Sequence, residues 1–465
     1  MHGQSRTLLS LGAVVALGGC SLTPPPEVPP LVERIDSLAG FVALPPKDAV
    51  VPGEGWWTAV GGEDLDDLVL ELLDNSPVLQ ESREQVVQAA EFAVLATGQR
   101  LPGVGYSVDR TRSRAPAPGG DFAWAENFSA GISLNFNADI LGGLRAAERA
   151  AVLTAEAAEY AYRASEQLEI TRLVRNWVSA ITLANQLELA KSTANIFETT
   201  YHLTDERYKT GSKTTAASDV LIARQNLEFA LIDIPELERQ LSSQLLIIDE
   251  QLARMPGTTA SRFAPQSLPR QVVIPELDKP IALLGNRPDV AAAELRYRAA
   301  LEDVGVVRAN LYPALSLVGA LRWRGDSPSD FSWDDYLASL VSSITGPLFQ
   351  GGRLRSQVRL EQSQARELAT VFARTAHSAV IDVEIALVSI EGLVRQVERS
   401  RDAVVTARQS NDLVEFRYRQ GLTPLLSVLE TQRSLNSAQQ SLILSEQALA
   451  NSLIDLQLSL GGDWT

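Results

Sequence analysis

A chain of 465 residues with 41 Lys and Arg against 57 Asp and Glu carries a net charge of −16. That balance argues against nucleic acid or an acidic membrane surface as the main partner, because both demand basic patches. The single cysteine, Cys20, excludes an intramolecular disulfide, and three scattered histidines (His2, His202, His377) leave little material for a metal site or a His-based triad.

Residues 1–19 read as an export signal, with Arg6 and the amino terminus supplying positive charge and Leu8 to Leu17 a short apolar core. Leu17-Gly18-Gly19-Cys20 has the small-residue pattern of a bacterial lipobox, which makes Cys20 the expected lipidation site. Acyl chains there would tether the protein at about 0.8 kcal/mol per buried CH₂. Ser21 follows, where an aspartate would oppose sorting to the outer membrane. The rest of segment 20–62 is proline-rich, from Pro24-Pro25-Pro26 to Pro45-Pro46 and Pro52, and reads as a stiff extended strap.

A first repeat is expected over 63–254. Trp56-Trp57 leads into a short helix ending near Asn75, and a second helix starts at Pro77 and runs to about Gly98. The periodicity then switches from helical to alternating. Phe128, Ala130, Ile132, Leu134, Phe136 and Ala138 alternate with small or polar residues, and Val104, Tyr106 and Val108 form a partner line. These are strands at about 103–112 and 127–139, of the length that crosses a bilayer when tilted, lipid on one face and water on the other. The same alternation would suit a soluble sheet packed on one face. Thr111 to Asn127 between them reads as an exposed loop. No stretch after residue 20 approaches the ~20 apolar residues of a membrane-spanning helix.

Gly142-Gly143 opens a long helix in which Ile170, Val174, Trp177, Ile181 and Ala184 step by four and three, the seam of a coiled coil. It turns at Arg207-Tyr208-Lys209-Thr210-Gly211. A connector dotted with prolines follows over 255–284, and a second repeat is expected over 285–465. Its strands fall at about 313–324 and 335–346. Its long helix starts after Gly351-Gly352 with a seam of Val383, Leu387, Ile390, Val394 and Val397. A second apolar line, Ile381, Ile385 and Val388, implies a second helical neighbour. The turn Arg417-Tyr418-Arg419-Gln420-Gly421 lies 210 positions after its counterpart; Asn286-Arg287-Pro288 and Pro313 follow Asn75-Ser76-Pro77 and Pro102 by 211. The chain is therefore an internal duplication. Four strands cannot close a barrel, and open edges are not tolerated in lipid, so several copies must share one barrel.

Leu283-Leu284-Gly285-Asn286-Arg287-Pro288-Asp289-Val290, Ala292-Ala293-Glu294, Val304-Gly305-Val306, Pro313 and Leu315-Ser316-Leu317 resemble the TolC family of outer-membrane efflux proteins. The likeness is closest to its lipoprotein branch serving resistance-nodulation-division pumps. The Trp56-Trp57 pair, both Arg-Tyr-x-x-Gly turns and the terminal Leu460-Gly461-Gly462-Asp463-Trp464 extend it over the mature chain. Asn286 stands where the family commonly has a second arginine. The resemblance implies a mostly α fold with a membrane β-barrel: a homotrimer with twelve strands in the outer membrane and an α-helical tunnel in the periplasm. A periplasmic adaptor protein and an inner-membrane pump would dock at its closed helical end. No cofactor, metal or nucleic acid is expected. The positions matching the family's pore constriction are Leu426, Glu430 and Arg433, while Ser427 stands where TolC has a further acid. Leu426 is expected to close the pore, with Glu430 and Arg433 holding neighbouring helices together. Arg207, Tyr208, Gly211, Asp219, Arg417, Tyr418 and Gly421 are expected at the turns that meet the adaptor.

No catalytic constellation emerges: the carboxylates lie at solvated helix spacings, and no nucleophile has a base. The reading is a passive exit duct for drugs or other small molecules. Protein-secretion (type I) or metal-efflux ducts are variants of it, and a coiled-coil scaffold without a pore is the alternative from another class.

Overall fold

The computed structural model describes residues 22–38, 40–43, 55–116, 120–212, 214–263, 268, 280 and 285–461. Cys20 and the expected export signal lie outside these residues, as do most of the 255–284 connector and the last four residues. Eight α-helices and four strands are described: α1 (Pro30–Asp36), α2 (Thr58–Asn75), α3 (Pro77–Gly98), β1 (Gly103–Pro116), β2 (Phe122–Ala138), α4 (Gly143–Lys209), α5 (Ala217–Gln251), α6 (Pro288–Ala309), β3 (Ala314–Gly325), β4 (Leu337–Thr345), α7 (Arg353–Arg419) and α8 (Leu425–Ser459). The duplication is visible in element lengths. Helices α3 and α6 each have 22 residues, α4 and α7 each 67, and α5 and α8 each 35.

The described residues fall into two compact units, one including Val87–Ala157 and Ala293–Val371, the other including Val28–Val86, Ala158–Ala292 and the residues from Phe372. The first holds the sheet, antiparallel in the order β1-β2-β3-β4. Register puts Val104 opposite Leu134, Tyr106 opposite Ile132 and Val108 opposite Ala130, so the apolar lines of both strands share one face. Leu321 and Trp323 of β3 join it opposite Ile132 and Ala130. The other face carries Ser107, Ser133, Ser316 and Ser343, the last two joined through their hydroxyls at 2.7 Å. In the single chain β1 and β4 are exposed along their whole lengths.

The loop expected over 111–127 is mostly ladder. Strands β1 and β2 stay paired up to Pro116 opposite Phe122, six rungs beyond Phe128, where pairing with β3 stops. Cation–aromatic contacts between Arg110, Arg112 and Arg114 and the facing Phe128, Trp124 and Phe122 hold this ribbon. The sequence suggested a loop because Pro116, Pro118, Gly119 and Gly120 punctuate the segment, and arginines at alternate positions carry no apolar line to extend the strand.

In the same unit, the leading segment lies along α6. Thr23 donates to Glu302 at 2.7 Å, Arg149 reaches the same carboxylate at 2.7 Å, and Arg308 donates to the Leu22 carbonyl at 2.9 Å. Gly305 permits this approach, since a Cβ there would come within 2.6 Å of Thr23 Oγ1.

The second unit holds the helical core. Ile170, Val174, Trp177 and Ile181 of α4 are buried against Leu65, Val69 and Leu72 of α2, Leu245 and Ile248 of α5, and Ile454 of α8. Val383, Leu387 and Ile390 of α7 are buried with Leu456 of α8. Both seams read from four-three stepping are thus interior. The second line on α7, Ile381, Ile385 and Val388, is exposed in the single chain. The proline-rich strap is not extended throughout, because Pro30 opens the short helix α1, which buries Val32 and Ile35. Arg287, within the Asn-Arg-Pro-Asp stretch, ties the start of α6 to the end of α8. It contacts Asp289 at 2.7 Å, Asp382 at 3.5 Å and the Ser459 carbonyl at 3.1 Å. At the far end of α2, Glu71 pairs with Arg254, and the guanidinium hydrogen bonds hold its carboxyl below the usual value.

Candidate functional site

The two long-helix turns end in the same backbone motif. The amide of Ser212 donates to the Arg207 carbonyl at 3.0 Å and that of Gly211 to Tyr208 at 3.1 Å; Leu422 donates to Arg417 at 2.9 Å and Gly421 to Tyr418 at 2.9 Å. These are Schellman caps, and each places its glycine at positive φ, +75° for Gly211 and +73° for Gly421. One turn earlier, Asp205 pairs with Lys209 at 2.6 Å and Glu415 with Arg419, a carboxylate-to-cation spacing that suits the helix dipole.

The side chains break this symmetry. Tyr418 is 4% exposed, its hydroxyl 2.9 Å from that of Thr204, and the Arg207 guanidinium lies over its ring at 4.6 Å. Arg207 also donates to the Arg419 carbonyl at 3.3 Å. Their duplicates do neither: Tyr208 is 47% exposed and Arg417 is exposed. Tyr418 was expected on the adaptor-facing surface, and within the protomer it is instead an internal tie between the two turns. An aromatic body with one polar tip is stable in such a place only when the tip is bonded.

Helix α8 starts beside this tie. Leu425, Val428, Leu429, Gln432 and Leu435 are buried, while Leu426, Glu430 and Arg433 recur at i, i+4 and i+7 on the opposite, exposed face. Leu426 is 68% exposed, a large apolar side chain left largely bare among the described residues. Arg433 donates through Nε at 3.1 Å, and through Nη2, to Asn226 Oδ1 on α5. Among the described residues no ion pair reaches Glu430, so the three-residue spacing to Arg433 forms no salt bridge within the protomer. Arg224 pairs with Glu228 at 3.6 Å, and Asp219 accepts from the Ala216 amide at 2.9 Å, which fixes the start of α5.

Sequence reasoning missed the polar residues that lock α8 in place. Gln432 donates to Thr200 at 2.9 Å, Thr193 to Asn436 at 2.9 Å, and Asn226 anchors Arg433 while donating to the Ile222 carbonyl at 2.7 Å. Their signal was available, since a buried polar residue within an apolar seam fixes register. A cleft of about 560 Å³ opens beside Arg433, lined by Thr193, Phe197, Asn226, Phe229 and Asn436 among others, and its mixed walls can hold water. Among the described residues no group of three or more His, Cys, Asp or Glu could hold a metal ion. The arrangement can position an apolar ring and a charge at a helix face; it carries no nucleophile–base pair.

The sequence pattern described as "Outer membrane efflux protein" matches residues 68–254 and 280–462. The chain is 30% identical to the pyoverdine export outer membrane protein OpmQ of Pseudomonas aeruginosa, over 99% of this chain and 97% of that protein. It is 28% identical to nodulation protein T of Rhizobium leguminosarum bv. viciae, over 96% and 91%. Among solved structures, the outer-membrane channel OprN superposes with a TM-score of 0.87 at 22% identity, covering 96% of this chain and all of that one. The open-state MtrE channel of Neisseria gonorrhoeae gives 0.81 at 19% identity, over 96% and 99%.

Proposed function

The chain belongs to the outer membrane efflux protein family, and on that premise we propose that Leu426, Glu430 and Arg433 form the gate of its duct. The protein is an outer-membrane exit duct for efflux, with a fold of long helical hairpins and barrel-forming strands. The observation that carries the gate is the bare stripe at the start of α8, opposite a face on which Leu425, Val428, Leu429, Gln432 and Leu435 are buried. Three copies, joined through the open edges β1 and β4, bring three such stripes together around an axis. Leu426 then narrows the passage, and Arg433, rooted on Asn226, sets the distance between Glu430 carboxylates that would otherwise repel.

The bare apolar line Ile381, Ile385 and Val388 supports assembly, because a seam of that kind needs a second helix. Tyr208, Arg417 and the two glycine turns are the surface offered to a periplasmic adaptor, whose inner-membrane pump supplies the energy. The duct itself performs no chemistry. Cys20 is the lipid anchor in the outer membrane, and the hold of α6 on Leu22 supports this by fixing the chain two residues after it. The substrates are small molecules selected by the pump.

Replacing Leu426, Glu430 and Arg433 together by alanine should raise single-channel conductance in planar bilayers several-fold over the wild type. Equal conductance would remove the gate from these residues. Cys20→Ser should lower the mass of the exported protein by its acyl groups, and an unchanged mass would contradict the anchor.

A further inference from the structure

The extended β1–β2 ribbon carries a row of arginines on one face. Along the apolar face of the sheet the rungs read Val104 with Leu134, Tyr106 with Ile132 and Val108 with Ala130, then change to Arg110 with Phe128, Arg112 with Glu126 and Arg114 with Trp124. The change coincides with an aromatic cluster. Trp323, at the rung of Ala130, packs against Trp333 at 5.4 Å and Tyr336 at 6.4 Å. Tryptophan and tyrosine gathered at one level mark where hydrocarbon gives way to headgroups. The three arginines therefore begin two rungs past that level, on the face that meets lipid, and span about 14 Å along the strand.

Each guanidinium is held flat against a ring: Arg110 over Phe128 at 5.5 Å, Arg112 over Trp124 at 4.9 Å, Arg114 over Phe122 at 5.6 Å. A single carboxylate, Glu126, shares itself between Arg110 at 3.1 Å and Arg112 at 3.4 Å. Asp109 falls on the other face by alternation, and Asp326, Asp330, Asp334 and Asp335 lie on the β3–β4 connection rather than on this ladder. On this face of the ladder three arginines stand against one acid, with Asp121 beyond the last rung, in a chain of net charge −16. Stacking fixes the guanidinium planes; Glu126 engages Nη2 of Arg110 and Nε of Arg112, and the N–H groups it leaves, with those of Arg114, can receive phosphate oxygens.

We propose that Arg110, Arg112 and Arg114 form a binding site for the phosphate groups of an anionic lipid headgroup in the outer leaflet. It rests on the reading of the sheet as membrane-spanning. The site clamps the top of the ribbon to the headgroup layer and sets how deep the sheet sits.

The test uses the purified full-length protein in detergent, with native mass spectrometry to count retained lipid. The probes are diphosphoryl lipid A, the same lipid freed of phosphate, and inorganic phosphate. Wild type should retain the phosphorylated lipid at least about tenfold better than the dephosphorylated one, and Arg110→Gln/Arg112→Gln/Arg114→Gln should lose that preference. Arg322→Gln/Arg324→Gln, on the opposite face, should keep it. Millimolar inorganic phosphate should not displace the lipid; full displacement would overturn the lipid as occupant. Equal retention of both lipids by wild type, in protein that still forms channels, overturns this proposal alone. A wild type that neither inserts nor conducts overturns the membrane reading and this site together.

Discussion

Tyr418 and Tyr208 are the same residue in two copies of one turn, yet one is buried and the other bare. The difference lies in what crosses over: Arg207 reaches from the first turn to the ring of Tyr418, while Arg417 stays in solvent. Removing the hydroxyl in Tyr418→Phe takes away its bond to Thr204, which keeps only its own bond to the Thr200 carbonyl, and should cost about 1 kcal/mol in urea unfolding. Tyr208→Phe should cost nothing measurable; equal effects would mean that the asymmetry is inconsequential. Arg287→Ala, which strips the link from α6 to the last residues of α8, should cost about 2 kcal/mol, and Arg287→Lys should recover only part because it loses the fork. The Glu71–Arg254 pair adds a pH dependence of definite sign. Its carboxyl is held below its unfolded value by Arg254, so its stabilisation is complete above the unfolded pKa and fades as pH falls through the folded one. Glu71→Gln should flatten that part of the acid-unfolding profile, and an unaltered profile would dismiss the pair as its source. The turn motifs were legible in the sequence, whereas the burial of Tyr418 was not. Two copies of Arg-Tyr-x-x-Gly look alike until packing chooses which arginine crosses.

At the level of elements, helices were read most securely where apolar steps of four and three persist, because that spacing has no other stable use over many turns. The hairpin ribbon was harder. Arg110, Arg112 and Arg114 alternate as strand residues must, but their stabilisation comes from rings on the opposite strand, and only the register reveals the match. Proline misled in the other direction: Pro30 opens a helix inside a segment that reads as extended. The paired Schellman caps make a symmetric expectation. Gly211→Ala and Gly421→Ala each place a Cβ at positive φ and should each destabilise by about 1 kcal/mol or more, measured in the same unfolding experiment. A negligible change at both would mean that the turns relax freely and do not hold the helix ends in place.

For the molecule as a whole, one chain leaves exposed the kinds of surface that a second copy can cover. Strands β1 and β4 are exposed at the two edges of the sheet, Ile381, Ile385 and Val388 have no cover in the single chain, and Leu426 points away from its own core. The shared barrel could be anticipated from the sequence because hydrocarbon cannot solvate bare amides. Which residues face the axis could not, because that depends on contacts between copies. The most direct measurement is ion current through a planar lipid bilayer to which the purified full-length chain is added. The account predicts discrete, uniform current steps, from a species that light scattering in detergent shows to contain three chains. A protein that stays monomeric and leaves the bilayer silent would contradict it.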